Sequence, residues 1–142
     1  MGATIDVSGG MFTITVSFAP GTFSPSNAGS CIVHLDTDEN PATGGQSDTG
    51  DAARVGFDYT VLFFANSGRA TINQFGRSVP KGFADATFLS ADQVRITFSM
   101  SLLDNDDGRL AFKLWALGRT NDGGAGAVDI MPNFGISAGV TR

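Results

Sequence analysis

The chain has 142 residues, of which 42% are hydrophobic, and this is enough for one domain with a single sizeable core. Its formal net charge of −5 and its lack of a basic stripe argue against nucleic acid as a partner, because an acidic surface repels phosphates. No apolar run reaches about 18 residues, so no membrane span is expected.

The first residues enter strand-like sequence at once, without the charged and apolar regions of a signal peptide. We therefore expect a domain cut from a longer parent protein, with an added Met, and the missing leader says little about where that parent resides. The single Cys31 cannot form an internal disulfide. It lies in an apolar run and is expected to act as a small buried hydrophobe.

Alternation of apolar and polar residues with period two dominates the chain and predicts β-strands. In chain order these strands are 3–8, 11–18, 31–36, 57–65, 69–75, 83–89, 93–100, 109–117 and an extended piece over 128–136. Segments 31–36 and 57–65 are almost continuously apolar, as expected of central strands. Segments 3–8, 69–75 and 83–89 are shorter and more polar, which suits sheet edges.

Gly-, Pro-, Asn- and Asp-rich turns separate nearly all of these strands. Eight or nine strands joined in this way predict an all-β fold, an antiparallel β-sandwich of jelly-roll type, as one domain over residues 1–142. The segment SLLDNDDG (101–108) interrupts the alternation. It predicts one helical turn, with Ser101 as N-cap and Asp104 in the first turn.

Catalytic signatures are missing from the sequence. The only His, His34, lies three residues from Cys31 in one predicted strand, so the two side chains point to opposite faces. No G-x-S-x-G or H-E-x-x-H motif is present. Paired-carboxylate chemistry stays open because Asp is abundant, but the one Glu, Glu39, lies in a polar loop. We expect a protein that is not an enzyme.

The loop DTDENPATGG (36–45) places Asp36, Asp38 and Asn40 at alternate positions, followed by glycines that let the backbone double back. Calcium prefers six to eight oxygen ligands, and a chain folded tightly around the ion presents alternate side chains to it. An EF-hand is excluded, because its sixth and twelfth positions hold Pro41 and Ser47 instead of Gly and Glu.

A calcium loop flanked by strands needs a further ligand from elsewhere in the chain. Asp58 is the best candidate, because a carboxylate beside a strongly apolar strand is costly to bury without a partner. The alternative is a solvated hairpin loop, since Asp, Asn, Pro and Gly are also turn formers. For DNDDG (104–108) the solvated turn is favoured, because nothing downstream completes a site.

The motifs LDTDENPATGG, GFDYTV and DIMPN (129–133) together resemble a bacterial extracellular module, the carbohydrate-binding family-9-like and DOMON-like β-sandwiches. The resemblance implies loop ligands at Asp36, Asp38 and Asn40, a carbonyl near Thr43, and Asp58 closing the site. It also implies that Asp129 lies close to this calcium site. Asp48 or Asp51, in the polar insert after the loop, are alternative ligands.

The resemblance also implies a secreted or surface location and a glycan as a possible partner. Sugar sites use exposed Trp or Tyr rings as platforms, and this chain has one of each. Trp115 lies on the face opposite Phe112 and Leu114, so it is either a weak platform or a residue covered by a loop or a second core face. We expect a non-catalytic accessory module with structural Ca²⁺, which either binds carbohydrate or serves as a spacer or self-association module.

Overall fold

The computed structural model describes residues 2–21, 23, 29–46, 56–119, 125–131 and 138–140. Twelve strands lie in this part of the chain. They are β1 (Gly2–Ser8), β2 (Met11–Ser17), β3 (Ser30–Asp36), β4 (Gly45–Gln46), β5 (Gly56–Phe57), β6 (Tyr59–Phe64), β7 (Arg69–Gln74), β8 (Gly82–Ser90), β9 (Gln93–Ser99), β10 (Leu110–Arg119), β11 (Ala125–Met131) and β12 (Ala138–Val140). The count exceeds the predicted eight or nine because several of these strands have only two or three residues.

Ten strands form one antiparallel sheet in the order β1-β2-β9-β8-β7-β6-β3-β10-β11, with β12 also paired to β10. The sheet curls into a sandwich-like fold, which confirms the predicted all-β antiparallel class. Strands β4 and β5 form a separate two-stranded ribbon. No described helix is long and apolar enough to cross a membrane.

The predicted alternation places one face of each strand in a continuous core. On β2 this face carries Phe12, Ile14 and Val16, all fully buried, while the Thr residues between them are half-buried on the other face. Cys31 is buried in the same core, as expected, and burial raises the pKa of its thiol to about 12. His34 lies on the opposite face of that strand.

Strand positions in the sheet agree with the sequence only in part. The central positions predicted for 31–36 and 57–65 are confirmed, because β3 and β6 pair with each other and each has another neighbour. Strand β1 is an edge, as predicted. The edge positions predicted for 69–75 and 83–89 are wrong, because β7 lies between β6 and β8, and β8 lies between β7 and β9.

A single 3₁₀ turn, Met100–Leu103, follows β9 where the helical turn was predicted. Its N-cap is Ser99, whose side chain accepts a hydrogen bond from the Ser101 N–H, so the prediction of Ser101 as N-cap is wrong by two residues. Asp104 lies at the C-terminal end in the left-handed region (φ 56°) instead of in the first turn. Burial of Met100 and Leu103 anchors this turn to the core.

Candidate metal site

The main chain brings Asp58 next to the end of β3. The Asp58 N–H donates to the carbonyl of Leu35 (2.8 Å), and the Asp58 carbonyl accepts from the N–H of Phe75 (2.8 Å). Asp36 is the last residue of β3, and Asp38 follows in the loop. The hydrogen bond between Asp58 and Leu35 therefore brings together two segments more than 20 residues apart, and it involves no carboxylate.

The carboxylates of Asp36, Asp38 and Asp58 form one cluster, in which each contributes an oxygen within 4.8 Å of the other two. They span a gradient of burial, since Asp36 is 2% exposed, Asp58 is half-buried and Asp38 is exposed. The cluster therefore has a buried floor and an open side. All three residues were proposed from the sequence as calcium ligands.

Backbone N–H groups and hydroxyls hold these carboxylates in place. Asp58 Oδ2 accepts hydrogen bonds from the Thr37 N–H and the Thr37 hydroxyl, both at 2.9 Å. The N–H of Asn40 lies 3.1 Å from Asp36 Oδ1 and 2.9 Å from Asp38 Oδ1. The loop is thus already folded around its acidic side chains by its own donors.

Asn40 and Thr43, the other two proposed ligands, lie in the same loop and take part in its turn hydrogen bonds. Asn40 Oδ1 accepts from the Ala42 N–H (3.1 Å), and the Thr43 hydroxyl donates to Asp38 Oδ2 (2.8 Å). The Thr43 carbonyl accepts from Gln46 Nε2 at 3.4 Å. The amide oxygen of Asn40 and the carbonyl oxygen of Thr43 already accept hydrogen bonds within the loop, so a cation would compete with these neutral donors for them.

Two glycines allow the loop to pack directly on β5. A Cβ at Gly56 would lie 2.4 Å from the Thr43 carbonyl oxygen and 2.6 Å from that of Asn40. A Cβ at Gly44, whose φ is +62°, would lie 2.5 Å from the carbonyl oxygen of Phe57. Only glycine fits these close backbone approaches. The role of Gly56 was not foreseen from the sequence, because it depends on a neighbour 13 positions away in the chain.

The electrostatics of the cluster are those of crowded negative charge. Burial raises the pKa of Asp36 to about 6, with the Asp38 and Asp58 carboxylates raising it further and the Asn40 N–H opposing them. The Thr43 hydroxyl, by contrast, is the main cause that lowers the pKa of Asp38. Ionising Asp36 beside the other two carboxylates is therefore less favourable than ionising an isolated Asp, and a bound cation would favour it.

Trp115, the proposed weak sugar platform, is half-buried on the outer face of β10. Among the described residues its Nε1 has no hydrogen-bond partner and is buried. Its ring lies 6.2 Å from that of His34, which stacks on Phe57 at 4.1 Å. Lys113, on the same face, is fully buried. Burial, followed by the charge of Lys113, lowers the pKa of His34 to about 4.

The second acidic segment, 104–108, connects three parts of the fold. Asp104 forms an ion pair with Lys81 and accepts a 2.6 Å hydrogen bond from the hydroxyl of Tyr59. Lys81 is the main cause that lowers the pKa of Asp104. The Asp104 side chain is still 63% exposed, as a solvated turn requires. Sequence reasoning missed this Tyr59–Asp104–Lys81 contact.

Three further residues were considered as alternative or additional ligands. Asp48 and Asp51 lie outside the described residues. On β11 the backbone of Asp129 pairs with Ala116, whereas Asp36 pairs with Ala111 on the same strand. Five residues along a strand correspond to about 17 Å, so the expected proximity of Asp129 to the loop is not met by this register.

Comparisons with known proteins assign no relative to the chain. A scan against protein-family models gave no match, and searches of the curated proteins and of the solved structures gave none either.

Proposed function

We propose that the domain is a non-catalytic module that binds one Ca²⁺ at Asp36, Asp38 and Asp58. The convergence of these three carboxylates within 4.8 Å carries the proposal. Carboxylate, amide and carbonyl oxygens are hard ligands, which favour Ca²⁺ over metals that prefer nitrogen or sulfur. Asn40 and Thr43 supply further oxygens from the same loop, and water completes a set of six to eight.

The charge balance supports a cation here. In the described part of the chain, neutral N–H and O–H groups of Thr37, Asn40 and Thr43 donate to the three carboxylates and hold them without cancelling their charge. Burial is the main cause that raises the pKa of Asp36, and the Asp38 and Asp58 carboxylates raise it further. A divalent ion offsets two of the three negative charges and favours the ionised form of Asp36.

The proposed role of the ion is mechanical. It connects the loop after β3 to Asp58 between β5 and β6. Without the ion these two segments meet through backbone hydrogen bonds, through the hydrogen bonds from Thr37 to the Asp58 carboxylate and through tight glycine contacts. A ligand that binds only the folded state at about 100 times its Kd stabilises that state by about 2.7 kcal/mol. Extracellular modules bind Ca²⁺ with Kd values of about 0.1–1 mM, so millimolar calcium outside the cell would occupy half or more of such sites, which would suit an exported parent protein.

Calorimetric titration with CaCl₂, together with thermal melts in Ca²⁺ and in EDTA, tests this proposal. We expect one site per chain and a higher Tm in Ca²⁺. Asp38→Asn removes a charge at the open side of the cluster and should abolish most of the difference in Tm. Asp85→Asn is the matched control, because it removes one charge from the exposed face of β8. Equal Tm values in Ca²⁺ and EDTA for the unmodified protein would refute the proposal.

Glycan binding stays a prediction, as does its alternative of a spacer or self-association module. A glycan array with the Ca²⁺-loaded protein and its Trp115→Ala variant tests the first. Retained binding in that variant would exclude Trp115 as the platform.

A further inference from the structure

Among the described strands, β1 lies at one edge of the sheet. Within the described part of the chain it pairs with β2 alone, in an unbroken register from Gly2↔Ser17 to Ser8↔Met11. Natural proteins protect such edges with Pro, charged side chains or bulges, and over its seven residues β1 has no Pro, no bulge and a single charged side chain, Asp6. One row of its backbone N–H and C=O groups therefore points away from β2, where it can pair with another strand.

The core-facing side of β1 is also incompletely covered. Its apolar residues Ala3, Ile5 and Val7 pack against the core but remain half-buried. The corresponding residues of the neighbouring strand β2 are fully buried. A further strand beyond β1 would cover the exposed part of this apolar row as well as the backbone groups.

We propose that β1 pairs antiparallel with β1 of a second copy of this chain, giving a dimer with two-fold symmetry centred on Ile5. In this register all seven residues of β1 are paired: Gly2 with Ser8, Ala3 with Val7, Thr4 with Asp6, and Ile5 with itself. The half-buried apolar row continues across the two-fold axis. The strand matches its own copy without any rearrangement of the sheet.

The neighbouring registers are worse. Shifting the centre to Asp6 places the two Asp6 carboxylates opposite each other, which is destabilising, and leaves two residues of each strand unpaired. Shifting it to Thr4 also leaves two residues unpaired. A centre between two residues turns the apolar row of one copy against the polar row of the other. Asp6 is the only charged residue on β1, and in the proposed register it faces a neutral Thr4.

The test exploits this Thr4–Asp6 pairing. Sedimentation velocity of the Ca²⁺-loaded protein over roughly 1 μM to 1 mM should show a monomer–dimer equilibrium. Thr4→Asp brings a carboxylate opposite Asp6 of the second copy, twice by symmetry, and should weaken the dimer roughly fivefold. Thr4→Lys brings an ammonium group to the same place and should tighten it by a similar factor. Thr87→Asp, on the exposed face of interior strand β8, should leave the equilibrium unchanged.

Three results would overturn the proposal: a monomer at every concentration, open-ended polymers in place of a dimer, or the same change for Thr4→Asp and Thr4→Lys. The opposite signs expected for these two variants cannot arise from loss of folding. The outcome is separate from that of the metal proposal, because five strands lie between β1 and β3 in the sheet. Each variant should keep the Tm increase in Ca²⁺.

Discussion

Calcium binding should weaken steeply on acidification below about pH 6, because Asp36 must lose its proton to act as a ligand. In the calcium-free protein the pKa of Asp36 is raised from 3.8 to about 6. Its protonation therefore stabilises the folded state fully below about pH 3.8, and this contribution is lost as the pH rises through 6. The shift corresponds to about 3 kcal/mol, which solvent screening at the exposed side of the cluster reduces to about 1–2 kcal/mol.

His34 acts in the opposite direction over an overlapping range. Burial lowers its pKa from 6.5 to about 4, so His34 destabilises the folded state progressively as the pH falls from 6.5 to 4. The pH profile in EDTA alone therefore mixes two opposing contributions. The difference between the profiles in Ca²⁺ and in EDTA isolates Asp36, since His34 contributes to both.

The measurement is the apparent Ca²⁺ affinity by calorimetry, with the Tm difference, at intervals from pH 5 to pH 7.5. For one linked proton with a pKa of about 6, the affinity should fall about tenfold between pH 7 and pH 5. Asp36→Asn should bind more weakly at pH 7 and show a flat profile over this range. An affinity that stays constant from pH 7 to pH 5, or an equally steep profile in Asp36→Asn, would contradict the reasoning.

Three further predictions concern the surroundings of the cluster. Gly56→Ala should lower the free energy of unfolding by about 1–3 kcal/mol in chemical denaturation and weaken Ca²⁺ binding, because the added Cβ displaces the loop. Gly2→Ala is the control and should change neither quantity, because a Cβ at Gly2 has no atom within 4 Å. Tyr59→Phe should cost about 1 kcal/mol in the same assay through loss of the hydroxyl bond to Asp104, and an unchanged midpoint would show that this bond adds nothing. Acrylamide should quench Trp115 fluorescence much less in the folded than in the denatured protein; equal quenching would mean that the ring is open to solvent.

The strands could be predicted from local pattern, but their neighbours could not. Alternation depends only on which face of a strand is buried, and it located the core correctly. Whether a strand lies at an edge depends on its partners. Strand β7 carries Arg69, Thr71 and Asn73 on its outer face, and this polarity was interpreted as an edge signal. It reflects a solvent-facing surface on a strand that is paired on both sides.

The residues of the acidic cluster could also be predicted from local sequence features, but the contacts that support the cluster could not. Spacing at alternate positions indicated Asp36 and Asp38, and the cost of burying a carboxylate indicated Asp58. The contact of Gly56 with the loop carbonyls and the bond from Tyr59 to Asp104 join distant segments. No local pattern specifies such contacts, because they depend on the register of strands that are far apart in the chain.

The backbone hydrogen bonds at the cluster bear on how the domain behaves without calcium. The backbone of Asp58 is hydrogen-bonded to Leu35 and Phe75. The N–H of Thr37 donates to the Asp58 carboxylate, and the N–H of Asn40 donates to the Asp36 carboxylate. The chain itself therefore forms most of the site. Zinc fingers, in contrast, have no folded state without their metal. We therefore expect EDTA to lower the Tm while leaving the far-UV circular dichroism spectrum at 25 °C unchanged. Loss of the β-sheet spectrum in EDTA would show instead that the ion is required to fold the domain.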